Sequence, residues 1–88
     1  MIIEVKEVKP NLKDGVHALD VVLNIGCMRV VMFFEYREGK WKKKMHALAH
    51  NSKGEKGESK RIEKFIKSEE GERQILNHNQ VRLYTIMV

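Results

Sequence analysis

Eighty-eight residues, 42% of them hydrophobic and 33% charged, are enough for one thin core and exclude both a wholly disordered chain and a large enclosed active site. The lone cysteine, Cys27, excludes an internal disulfide framework; the alternating N-terminus is unlike a signal peptide, and no apolar run approaches the roughly 20 residues of a membrane span. The net charge of +5 is unevenly spread: residues 37–67 hold eleven Lys or Arg against four Glu, while the rest of the chain is slightly acidic. Such segregation makes a positive field that attracts polyanions.

Ile2 to Val8 alternates, with a blur near Glu7, and reads as a first strand ended by the loop chemistry of Pro10-Asn11 and Lys13-Asp14-Gly15. In Val16 to Ile25 the odd positions His17, Leu19, Val21, Leu23 and Ile25 form the apolar side. After Gly26 the parity switches, so that Met28, Val30, Met32, Phe34 and Tyr36 share one face. A two-residue turn at Ile25-Gly26, setting Leu23 against Met28 and Val21 against Val30, accounts for the switch. Glu38-Gly39 is a second hairpin turn, pairing Tyr36 with Trp41, Met32 with Met45 and Val30 with Ala47; Lys43 interrupts that apolar face by snorkelling or by a bulge. Trp41 to His50 also has helical spacing, but the turn and the register agreement favour a strand.

Asn51 to Gly57 is a polar loop, and Ser59 suits the N-cap of a helix whose stripe is Ile62, Phe65 and Ile66, with Lys60, Lys64 and Lys67 opposite. Gly71 is placed as the residue ending that helix near Glu70, with one more turn over Glu72 to Asn77. Gln80 to Val88, dense in β-branched and aromatic residues, reads as a closing strand inside the sheet. The expected fold is therefore α+β: a predominantly antiparallel sheet of about five strands in the order β-β-β-β-α-β, with one principal helix packed on one face, forming a single domain over residues 1–88.

Three features carry possible chemistry. The inferred register puts Arg29, Val31, Phe33 and Glu35 beside Leu48, His46, Lys44 and Lys42, a cationic face with an aromatic on which a base could stack. If the helix covered this face instead, Phe33 and Val31 would be core. The run Lys40, Trp41, Lys42, Lys43 and Lys44 forms a basic ribbon at a hairpin tip, where Trp41 either grips a ligand or closes the core against Tyr36. The glycines of the loop, with Lys53, Lys56, Lys60 and Arg61 at the helix start, resemble a phosphate-docking device, although the spacing is not that of a P-loop.

Metal and cofactor sites are not expected, because His46 and His50 on a strand lie about 13 Å apart, too far to share a zinc ion. Cys27 with His50, and Asp20 with Glu35, lack the third group that would orient a catalytic pair, so no enzyme is expected. The function expected from the residues is RNA or DNA binding, chiefly by phosphate contacts from Lys40, Lys42, Lys43, Lys44, Lys53, Lys56, Lys60 and Arg61, with Arg29, Phe33, Trp41, His46 and Lys64 in the same interface. The alternative is a regulator or inhibitor that docks its basic surface on an acidic protein, such as a nucleic-acid-processing enzyme. A cytoplasmic location, no membrane partner and a possible homodimer complete these expectations.

Overall fold

The computed structural model describes residues 1–88 as a four-stranded antiparallel meander followed by three helices. The strands are β1 (Ile3–Lys13), β2 (Val16–Ile25), β3 (Met28–Arg37) and β4 (Lys40–His50), and they neighbour one another in chain order. The helices are α1 (Glu58–Lys67), α2 (Glu69–Leu76) and α3 (Asn79–Thr85). The α+β class with an antiparallel sheet is thus established, whereas the fifth strand and the single principal helix are not. No helix is long and apolar enough to cross a membrane.

Turn chemistry explains the meander. Asp14-Gly15 and Glu38-Gly39 both take two successive positive φ values, the requirement of a type I′ turn, whose twist matches that of the flanking strands. At the middle hairpin only Gly26 has positive φ, so glycine takes the first central position and the turn is Gly26-Cys27. This shifts the expected pairing by two residues, to Ile25 with Met28, Leu23 with Val30 and Val21 with Met32. A shift of two leaves the faces unchanged.

One face of the sheet is core. Leu19, Val21, Leu23 and Ile25 of β2 and Val30, Met32 and Phe34 of β3 are fully buried against Ile62 and Ile66 of α1, Ile75 of α2 and Val81 of α3. Each such side chain contributes about 1.5–3 kcal/mol of hydrophobic stabilisation. Arg29, Val31, Phe33 and Glu35 lie on the opposite face, which no helix covers.

The closing strand expected over residues 80–88 is a helix because of the width of this core. Four strands about 4.8 Å apart span more than one helix of about 10 Å can cover. α1 lies toward β4, where the Ile66 carbonyl accepts Lys43 Nζ at 2.9 Å, and α3 packs on β1 at the other side. Val81 and Tyr84, three residues apart, face inward from α3. His78 caps it by accepting the Gln80 N–H at Nδ1, and Trp41 Nε1 donates to the Thr85 carbonyl at its other end. Tertiary cover thereby overrides β propensity.

Two capping expectations also change. Gly57, in the left-handed region at φ 80°, precedes α1, so Ser59 lies inside the first turn and caps nothing. Ser68 ends α1 and caps α2, its hydroxyl donating to the Phe65 carbonyl and accepting the Gly71 N–H. Gly71 is therefore buried in the first turn of α2 instead of terminating α1. A Cβ there would collide with the Phe65 carbonyl.

Candidate nucleic-acid interface

A β-bulge reorganises the basic hairpin. Phe33 pairs with Met45 and Phe34 with Lys43, leaving Lys44 as the extra residue. Tyr36 faces Trp41 as expected, with their rings edge to face at 5.4 Å, and Glu35 faces Lys42. Beyond the bulge every β4 partner moves by one. Met45, Ala47 and Ala49 occupy the open face, and His46, Leu48 and His50 turn to the helix side, opposite Met32, Val30 and Met28. The expected positions of His46 and Leu48 on the open face are corrected accordingly, and His50 faces Met28.

The ribbon Lys40–Lys44 is divided between the two sides of the sheet. Trp41 is half-buried against Tyr36 and bound to Thr85, which is the core-closing role. Lys43 is also on the helix side: its Nζ is held by Ile66 and its backbone N–H donates to Glu72 Oε1 at 3.0 Å. The bulge falls at the next residue, Lys44, and Lys43 stays on the helix side with its ammonium bound to a carbonyl. Lys42 and Lys44 reach the open side, but Lys42 is 3.0 Å from Glu38, and Lys44 shares Glu35 with Arg37. These acids neutralise much of the ribbon. The hydrogen bond from Lys42 and its charge hold the Glu38 carboxyl below its usual range. Lys40 alone of the five has no side-chain partner.

His46 is half-buried beside α1. Desolvation, followed by the charges of Lys43 and Lys67, lowers its pKa below the ordinary 6.5, with Glu63 acting weakly the other way. It is therefore a neutral packed imidazole at neutral pH.

At the start of α1, Glu58 Oε1 accepts the Glu55 N–H at 2.9 Å and Oε2 accepts the Cys27 N–H at 2.8 Å, so this carboxylate takes up N–H groups of the loop and of the β2–β3 turn. Those two N–H groups hold Glu58 below the usual carboxylate range. Burial, and then the neighbouring Glu58, push the Cys27 thiol up, which makes it a poor nucleophile. No group of three or more His, Cys, Asp or Glu is arranged to hold a metal ion.

The loop and the outer side of α1 differ from the ribbon. Lys53, Lys56, Lys60, Arg61 and Lys64, which are all the basic residues between positions 53 and 64, are exposed and in no ion pair, whereas Lys67 pairs with Glu63. Arg29 is likewise exposed and unpaired on the open face. The sequence contains these cations openly. It holds no comparable signal for Glu58, whose partner Cys27 is 31 residues away.

No family model matches the chain, and no curated protein or solved structure shows significant similarity to it.

Proposed function

We propose that the chain binds RNA or DNA through the phosphate backbone, using the loop Asn51–Gly57 and the exposed side of α1. The observation that carries this reading is the unpaired cation set Lys53, Lys56, Lys60, Arg61 and Lys64. Lys60 and Lys64 lie one helical turn apart, about 6 Å along the axis, which spans about two phosphates at 3.4 Å per nucleotide. Like charges at that spacing cost helix stability, and a polyanion relieves the repulsion. Lys42 and Lys44 contribute only as far as Glu38 and Glu35 release them.

A titration with single- and double-stranded oligonucleotides at several salt concentrations tests the reading. Five phosphate contacts give a slope of log affinity on log salt of about −3.5 on single strands and about −4.5 on duplex. Absence of binding at low salt would reject it and favour an acidic protein as the partner of the same cations.

A further inference from the structure

The open face of the sheet is not flat. The register sets Asn11, Ala18 and Glu35 in one row across it and Lys9, Asp20, Phe33 and Met45 in the next. Ala18 is 4% exposed although no helix covers it, because its side chain stops at a methyl group and its longer neighbours rise around it. The result is a depression of about 270 Å3, floored by Val16 and Ala18 and walled by Phe33, Glu35, Asn11 and Lys13. Its rim carries more positive than negative charge. This end of the molecule holds Lys13, Arg37, Lys40, Lys42 and Lys44 against Asp14, Glu35 and Glu38, and neither Lys13 nor Lys40 is in an ion pair.

We infer that this depression receives one unpaired base of a single-stranded nucleic acid, stacked on Phe33 and chosen for an exocyclic amine. An acidic protein meets the positive charge alone, whereas a base on a phosphate chain also meets the aromatic ring and the ring-sized hole. Glu35 supplies the selectivity. Arg37 Nε and Lys44 Nζ both approach its Oε1, at 3.1 and 3.9 Å, so Oε2 accepts no hydrogen bond within the protein and is left for a base amine such as cytosine N4. Asn11 adds an amide donor and acceptor at the same wall. Lys13 and Lys40 stand on the two edge strands, about 14 Å apart over three strand spacings, and meet the phosphates as the strand crosses the sheet.

This inference rests on the nucleic-acid reading above but uses other residues. The depression lies at the Asp14-Gly15 end of β2, while the loop Asn51–Gly57 is tied to Cys27 at the opposite end, about 30 Å away. A base held in a duplex cannot enter the depression, so strandedness separates the two sites.

The test is a titration of the isotopically labelled full chain followed by amide NMR shifts. The ligands are trideoxycytidylate, trithymidylate, inorganic phosphate and a tri-glutamate peptide. Trideoxycytidylate is expected to shift the amides of Asn11, Ala18, Phe33 and Glu35 and to bind at least about fivefold more tightly than trithymidylate. Ala18→Ile fills the depression from its floor and Phe33→Leu removes the ring. Each should weaken trideoxycytidylate at least about fivefold with an unchanged circular-dichroism spectrum, so either one suffices should the other fail to fold. Ala18→Ile should leave duplex binding unchanged. The inference is overturned if the trinucleotides shift only the loop and α1, if they bind alike, or if a folded variant binds as the wild-type chain does. Equal shifts of the same amides by tri-glutamate also overturn it and give the face to an acidic protein. Should trideoxycytidylate shift the depression while duplex binds nowhere, the inference stands and the reading of the loop and α1 falls.

Discussion

The Glu58 carboxylate accepts the backbone N–H of Cys27 at 2.8 Å and so fastens the β2–β3 turn to the first turn of α1. Its other oxygen holds Glu55 of the preceding loop. One side chain thereby positions the loop that carries Lys53 and Lys56.

Glu58 makes this tie sensitive to acid. Its folded pKa is below the ordinary 4.5, so its contribution to stability is present above about pH 4.5 and is lost as the pH falls through the folded value. Glu58→Gln should lower the melting temperature at pH 7 and give a shallower decline in acid than the wild-type chain. The difference between the two melting curves isolates this residue from Glu38 and Glu70, whose pKa values are also lowered. The buried Cys27 thiol should react faster with an alkylating reagent in the variant, since the turn covering it is released.

His46 acts in a higher range. Its folded pKa is below 6.5, so the unfolded chain takes up a proton first, and stability falls as the pH drops from about 6.5 toward the folded value. His46→Gln should flatten melting temperature against pH in that window and leave the acid limb governed by the carboxylates.

Gly71→Ala sets two effects against each other. Alanine gains up to about 1 kcal/mol of helix propensity, but its Cβ must displace the Phe65 carbonyl and the Ser68 cap. Overpacking of this kind costs about 1–3 kcal/mol, so net destabilisation is expected in urea unfolding.

Trp41→Phe keeps most of the ring against Tyr36 and removes the Nε1 donation to the Thr85 carbonyl. A loss of about 0.5–1.5 kcal/mol is expected, with earlier amide exchange in α3 than in β2 and β3.

Lys60→Ala with Lys64→Ala should weaken all oligonucleotides alike and make the salt slope shallower by about 1.4–1.8, while improving helix propensity. Lys42→Ala with Lys44→Ala should have the smaller effect, since Glu38 and Glu35 already hold those ammonium groups. Equal effects from the two double variants would mean that ligand binding displaces the acids.

Much of the sheet was determined by the sequence alone. Asp14-Gly15 and Glu38-Gly39 admit the positive φ values of a hairpin, and the parity of β2 and β3 assigns Leu19 and Phe34 to one side whatever the register error, because side chains repeat every two residues. The stripe of Ile62, Phe65 and Ile66 marks α1 in the same local way. The rest depended on partners remote in sequence. Lys43, on the face its register assigns it, finds the Ile66 carbonyl 23 residues on; the bulge at Lys44 turns His46 to the helix side; Trp41 reaches Thr85 across 44 residues. The last segment became a helix because a core face four strands wide needs two helices to cover it, a requirement that exists only once the sheet is assembled. The same assembly placed Glu35 and Glu38 against the ribbon lysines and left the cations of Lys53 to Lys64 unpaired, since charge pairing is a property of surfaces in contact and not of residues in a row.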